Sequence, residues 1–568
     1  MSNGRALSPH RPELVTDRLP SPGPRWLELA TSSDHKDIGR LFIGAALSFL
    51  FVGLIGFLLI RLQLAIPEND LIGPITFNRL LSVSGASLVV LFALPLAIGL
   101  YTYVVPLQIG ARALAFPRLA SLALWLYVAG GAILYTSFVY TPPESGFNPW
   151  PPLSDTVFIS TNGVDVWITA VGLTVLGLVL QAINLAVTVA KLRAPGMAWR
   201  RLPPFSFSAA VSSWVLIVAG SVFLAALVML EIDRHFGGVF FDAGEGGAPL
   251  YYQHLSWIFF TGCYLLFLLP AIGAVSEILP TLSGKPLLSR GAVSGSIAAI
   301  GALGLLAWMQ NMYTASIPVG WLYLAMVAAL LLMVPLGVLF VNWIGTLAFG
   351  VIQLRPPMLF ALGAISTLSF GLAGELMHAV IPVNWLLADT TDATAATGYV
   401  FVGGPVLGGL AALYYWFPKM TGRTMGEGRA RLSLLLIILG AHLTLIPMFL
   451  AGLEGQPVDV YKYFDVDSLD VYNLLSTIGA FVLVAGVIGS LINAYRSVSH
   501  GPRAGHDPWR ADTLEWLALS PPPPHNFDVV PDVRSEEPLR DIREAVRRQE
   551  EAAPEPSAEP SESTEPVA

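Results

Sequence analysis

The sequence predicts an all-α membrane protein, a bundle of twelve transmembrane helices with both termini in the cytoplasm. Three observations lead there. The chain is 54% hydrophobic and only 12% charged, with a mean hydropathy of +0.65, whereas a soluble domain carries about 25% charged residues. Twelve apolar runs are each long enough to cross a hydrocarbon core about 30 Å thick, which takes about 20 residues of helix. A single cysteine, Cys263, among 568 residues rules out a disulfide framework, a cysteine-based zinc site and an iron–sulfur cluster. The formal net charge of -8 also excludes a nucleic-acid binder that reads phosphates through a basic surface.

Taken in order, the runs lie near residues 39–61, 80–106, 118–141, 163–190, 207–231, 254–280, 291–312, 319–345, 357–381, 397–417, 432–453 and 470–495. Residues 1–38 are polar and proline-rich, so a cytoplasmic segment is expected there and no cleavable signal peptide. Orientation follows from lysine and arginine, which favour the cytoplasmic side. With the N-terminus inside, the inner loops hold most of them, among them Arg112, Arg118, Lys191, Arg193, Lys285, Arg290, Arg355 and Lys419. The outer side holds only Arg61, Arg79, Arg234 and Lys462. The expected organisation is a bundle over residues 39–496, a cytoplasmic tail over 497–548 and a disordered Pro/Ser/Glu-rich end over 549–568. No repeat of the inverted-repeat transporter kind is visible.

Several short stretches carry more information than hydropathy does. Asp34-His-Lys-Asp-Ile-Gly39 precedes span 1, Ala115-Phe-Pro-Arg118 precedes span 3, and Tyr252-Gln-His-Leu255 opens span 6. Pro357-Met-Leu-Phe-Ala-Leu-Gly363 opens span 9, and Tyr414-Tyr-Trp-Phe-Pro-Lys-Met-Thr-Gly422 closes span 10. The tail carries Asp507-Pro-Trp509, Asp512-Thr-Leu-Glu-Trp516 and the run from Ser520 to Phe527. Over about residues 30–535 the chain resembles subunit I of the haem-copper oxidases, the cytochrome c oxidase catalytic subunit. The resemblance implies a multi-pass protein of the bacterial plasma membrane, with partners like oxidase subunits II and III. It also implies two haems and one copper, held by imidazole nitrogens from six histidines.

None of those histidines is found where the resemblance places it. The low-spin haem ligands fall on Ser84 and Gly398, and the high-spin haem ligand falls on Ala396. The copper ligands fall on Thr261, Gln310 and Asn311. The resemblance places further losses at Leu265, Cys263, Leu339, Ala113, Val458, Asp459 and Ala388. The sequence therefore leads to the expectation of no cofactor and no catalytic residue. The function expected is a non-catalytic scaffold or accessory subunit of a respiratory membrane complex. Two other readings stay open: a protein moving ions, protons or small molecules through the emptied bundle, and a terminal oxidase as the family implies.

Lost ligands leave space, and voids in packed cores are costly. Gly403, Gly404, Gly408 and Gly409 in span 10 suggest that helices close in through a small-xxx-small pair. The alternative is a cavity holding lipid or quinone. Glu375-x-x-His378 puts an ionisable pair on one face of span 9. With Asp389 and Asp392 it is a candidate cation or proton site; the competing reading sets His378 at the outer interface with its polar tip wet. His254 and His442 are expected to make structural hydrogen bonds, Arg61 to anchor at the interface, and Cys263 to fill core.

Overall fold

A computed structural model describes residues 25–315, 317–464 and 468–552. Twelve long apolar helices run through them: α1 His35–Gln63, α2 Pro74–Gln108, α3 Pro117–Val139, α4 Gly163–Lys191, α5 Pro204–His235, α6 Pro249–Ser283, α7 Arg290–Met312, α8 Val319–Leu347, α9 Pro356–His378, α10 Thr391–Thr421, α11 Glu427–Leu453 and α12 Leu469–His500. A tail helix, α13, follows at Pro538–Ala552. Among the described residues there are only two isolated β-bridges and no strand. In hydrocarbon a helix satisfies its own backbone, which is why the apolar runs take this form.

Local chemistry sets the ends. The Asp34 carboxylate caps α1 by accepting the Lys36 N–H at 3.0 Å, so the helix starts four residues before the apolar run does. Proline occupies the first turn of α2, α3, α5, α6 and α9, where its missing N–H is harmless. Gly284 and Gly422 close α6 and α10 with φ of 66° and 72°, a left-handed geometry that glycine adopts without strain. The second span begins well before residue 80 because polar Asn78 and Arg79 still lie on the helix; Arg79 pairs with Glu144 at 3.1 Å.

Burial identifies the centre of the bundle. The apolar stretch of α2 is 89% buried and those of α6 and α10 are 78% buried, against 28% for α8. Both α2 and α10 widen into a π-helical turn, at Ser87–Ala93 and Val402–Gly408. Pro405, which has no N–H to donate, sits in the second.

The two described ends of the chain meet at one face of the bundle. Lys36 Nζ donates to Asn526 Oδ1 at 2.9 Å and to the Pro524 carbonyl at 3.2 Å. Trp509 Nε1 donates to the Tyr415 carbonyl at 2.8 Å, and Lys419 Nζ to the Ala518 carbonyl at 2.8 Å. This tail face is therefore packed, with Arg543 of α13 bound to Asp507 at 2.9 Å. The expected boundary at residue 549 falls inside α13, whose Arg540–Glu544 and Arg547–Glu551 pairs at helical spacing support the last turns. Residues 1–24 and 553–568, which hold most of the expected N-terminal segment and of the expected disordered end, lie outside the described residues.

Candidate functional site

Of the six positions singled out in the sequence, Ser84 and Ala396 are buried among close-packed helices, Thr261, Gln310 and Gly398 are half-buried, and Asn311 is exposed at the end of α7. Ser84 of α2 lies against Gly56 of α1, so close that a methyl group at residue 56 would collide with the serine hydroxyl. Ala396 of α10 faces Gly374 of α9; its Cβ is 2.7 Å from where a Cβ at 374 would stand. At Gly398 the corresponding space is held by Leu445 of α11, also at 2.7 Å. Asn311 Nδ2 donates to Thr261 Oγ1 at 3.2 Å, linking the end of α7 to α6, with Gln310 beside them. The structure thus brings Thr261 and Asn311 together and gives Ser84, Ala396 and Gly398 separate neighbours.

The glycine stripe of span 10 packs chiefly against α6 and α9, with Gly403 on Leu368 of α9. Gly404 lies on the Phe267 backbone and Gly408 on Ala271, both in α6; only Gly409 approaches α2, at Leu96. Phe401 of α10 packs between α2 and α6. Its ring meets Phe92 at 6.0 Å and Phe267 at 5.6 Å, both edge to face. A cavity of about 20 Å³ remains beside them, room for about one water. Phenylalanines within long apolar runs give no sequence signal of such a role, and these three were not foreseen.

Donor chemistry decides what the six positions can hold. Axial haem ligation takes imidazole, thiolate, thioether or phenolate, and copper prefers nitrogen and sulfur. Here the side chains offer two hydroxyls, two carboxamides, and at Ala396 and Gly398 no donor at all. They do not fit these metal groups.

Another constellation lies at the end of the bundle opposite the tail. His378, the last residue of α9, holds Asp392 in the first turn of α10, with Nε2 to Oδ1 at 2.7 Å and side-chain exposures of 6% and 0%. The Asp392 Oδ2 is buried without a partner. Asn384 Nδ2 binds the His378 carbonyl at 3.0 Å, and Gly452 of α11 lets the Asp392 backbone pack tightly. His378 is therefore enclosed, because the short helix Ile381–Leu387 folds over it, and not wet as its closeness to Pro382 suggested. Glu375, one turn earlier, is half-buried, and its carboxylate makes no hydrogen bond or ion pair among the described residues. Asp389 is exposed and joins the loop only through its carbonyl, which accepts the Val458 N–H at 3.0 Å.

Glu375, His378, Asp389 and Asp392 do not converge as a metal site. The one set of three carboxylate or imidazole donors within 4.8 Å of one another, among the described residues, is Asp165, Glu231 and His235. There Arg234 Nε already holds Asp165 at 2.6 Å and neutralises it. Of the remaining candidates, His442 Nδ1 is bonded to Tyr399 Oη at 2.9 Å, and His254 packs edge to face on Trp308 at 5.2 Å. Cys263 is a buried free thiol in the core. Arg61 is not an interface anchor: it is 4% exposed and donates to the Asn473 carbonyl of α12 at 3.1 Å.

Comparison with known proteins places this geometry. The sequence model of the family described as Cytochrome C and Quinol oxidase polypeptide I matches residues 37–482. "Cytochrome c oxidase subunit 1" of Thermostichus vulcanus is 36% identical over 509 residues, which is 89% of this chain and 92% of that protein. The protein of the same name from Corynebacterium glutamicum is 36% identical over 541 residues, 94% of this chain and 92% of that one. Among solved structures, a "heme-copper terminal oxidase dimer" superposes with a TM-score of 0.69 at 16% identity, over 90% of this chain and 89% of that one, a likeness of fold.

These matches overturn the expectation of a chain without cofactors. Its relatives are named as oxidase subunits, and the structural neighbour is a haem-copper enzyme. The inference failed because it ran from six positions to the whole protein. Side chains that cannot ligate show where a metal is not held, which is less than showing that the protein has none.

Proposed function

The chain belongs to the cytochrome c and quinol oxidase polypeptide I family, and from that premise we propose that it acts as the subunit I-like scaffold of a respiratory complex in the bacterial plasma membrane. Its partners would be membrane subunits like oxidase subunits II and III, with the tail face in the cytoplasm. Oxygen reduction would not run through Ser84, Thr261, Gln310, Asn311, Ala396 and Gly398. The observation that carries this reading is the absence of any ligating donor at Ala396 and Gly398, where Ala396 packs on Gly374 and Gly398 faces Leu445. The docked tail supports it as well, because an ordered face with buried polar anchors is what a scaffold presents to partners.

The test uses the host membrane. Deleting the gene should lower the amount of assembled partner subunits, seen on native gels. Restoring it with Thr261, Gln310 and Asn311 all changed to alanine should return both assembly and oxygen consumption to the wild-type level. Normal assembly with oxygen consumption lost would overturn the proposal, because those residues would then serve the chemistry.

A second reading has one observation in its favour, the enclosed His378–Asp392 pair with its unpartnered oxygen. Ionisable groups inside a span mark ion or proton pathways more often than packing. Proton flux in proteoliposomes that disappears in Glu375→Gln would support translocation over scaffolding.

A further inference from the structure

Two glutamates from distant parts of the chain meet at the tail face. Glu277, near the end of α6, is 4% exposed, and Glu515, in the tail, is 0% exposed. One amide group joins them: Gln108 Nε2, at the end of α2, donates to Glu277 Oε2 at 2.6 Å and to Glu515 Oε1 at 3.2 Å. The Gln108 Oε1 accepts from Ser206 Oγ at 2.6 Å, which fixes the direction of the amide. Glu277 Oε1 accepts the Phe205 N–H at 2.8 Å, and Trp416 Nε1 donates to Glu515 Oε1 at 3.2 Å. Among the described residues no donor meets Glu515 Oε2 in full hydrogen-bond geometry, and the Thr513 hydroxyl, buried and also without a geometric partner, stands beside Glu515.

The surrounding charges do not pair with either carboxyl. Among the described residues no cation makes an ion pair with Glu277 or Glu515. Arg290 of α7 turns to the Glu536 carbonyl at 2.6 Å, with Glu537 and Arg540 beyond it. Lys419 of α10 donates to Ala518 and stands over the Trp516 ring at 5.0 Å. Tyr415, Asp507 and Asp512, with Lys285 and Arg510 on the cavity wall, complete the charged and titratable surroundings. Two carboxylates on one amide repel each other, and each pays for leaving water. A proton on one of them removes the repulsion and one of the two desolvation costs. A cavity of about 410 Å³, lined by Glu277, Ser276, Thr513, Asp512 and Arg290, borders the pair on its Glu277 side and is large enough to admit water.

We propose that Glu277 and Glu515 form a proton-binding site that holds one shared proton while the tail is docked, exchanges it through this cavity, and releases the tail when the proton is lost. Burial pushes the Glu515 carboxyl above its ordinary range, in keeping with the geometry. The docked state then binds more protons than the undocked one. Docking is strongest below the ordinary glutamate pKa, weakens as pH rises, and levels off above the docked-state value. One proton changes the undocking equilibrium about tenfold per pH unit inside that window.

The experiment is amide hydrogen exchange on the full chain in detergent between about pH 6 and pH 8, corrected for the intrinsic rate, and read over residues 509–527. Wild type should lose at least about tenfold in protection as pH rises. Glu277→Gln and Glu515→Gln, which keep shape and hydrogen bonding, should flatten that dependence. If Glu277→Gln fails to fold, Glu515→Gln carries the same test from the tail side. A carboxylic-acid stretch in the infrared spectrum at about pH 8, present in wild type and lost in Glu515→Gln, reports the proton directly. Protection independent of pH in wild type overturns the proposal. So does an unchanged slope in either variant, which would put the titration elsewhere.

Discussion

Breaking the contact between His378 and Asp392 should reveal a large coupling between them. Both side chains are enclosed, at 6% and 0% exposure, and 2.7 Å apart. Screening by solvent, which reduces exposed pairs to below about 1 kcal/mol, does not operate here. His378→Leu removes the only side-chain partner of Asp392 and leaves a buried carboxyl with both oxygens unpaired. Asp392→Ala leaves the imidazole alone in the same way. Each single change should destabilise the protein by about 3–5 kcal/mol, the usual result of stranding one half of a buried pair. The double variant strands nothing, and its loss should approach that of a small cavity, about 1–2 kcal/mol. The cycle therefore has an expected coupling of more than about 2 kcal/mol. The measurement is equilibrium unfolding of the purified full chain in detergent. A coupling under about 0.5 kcal/mol, the level of additive sites, would refute the reasoning by showing that water reaches the pair.

Gly440→Ala should destabilise the bundle by about 1–3 kcal/mol, because a methyl group there collides with the Leu483 backbone of α12, which cannot rotate away; thermal unfolding in detergent checks it. Lys419→Met should free the tail while the helices stay folded, since the ammonium is a buried anchor for the Ala518 carbonyl; the loss is about 1.5–3 kcal/mol in hydrogen exchange over residues 509–527.

Hydropathy alone revealed the bundle, for a reason specific to lipid. Every span must hide its backbone in a helix, so run length translates directly into architecture. Its errors lie where polar groups extend a helix past the apolar run, as Asp34 does by capping α1 and Arg79 by pairing with Glu144. Motif reading located the positions that face the interior but not what fills it. Phe92, Phe267 and Phe401 are indistinguishable from lipid-facing residues in a one-dimensional sequence, and the helix that Gly404 touches depends on which way α10 is turned. The Glu375/His378 spacing drew attention to the right helix end. It could not show that Asp392 takes the imidazole while Asp389 stays outside, since the turn between them is set by the Thr390 cap on α10. Arg61 misled because a cation at the end of an apolar run looks like an anchor even when another helix supplies a carbonyl for it.

The tail face and the interior of the bundle are held by different kinds of contact, so the two tolerate substitution differently. At the tail face, side chains bind specific backbone carbonyls from distant segments: Lys419 to Ala518, Trp509 to Tyr415, Lys36 to Pro524. Each such bond needs a particular donor at a particular reach, so replacing the donor side chain leaves a buried carbonyl unpaired. The interior positions at Ser84, Ala396 and Gly398 need only volume that suits Gly56, Gly374 and Leu445 across the gap. Volume can be met by many combinations of residues, provided that the neighbours adjust together. Substitution at these interior positions is thus compatible with the family motifs of the tail, and the two observations together describe a chain whose tail face is more tightly specified than its centre.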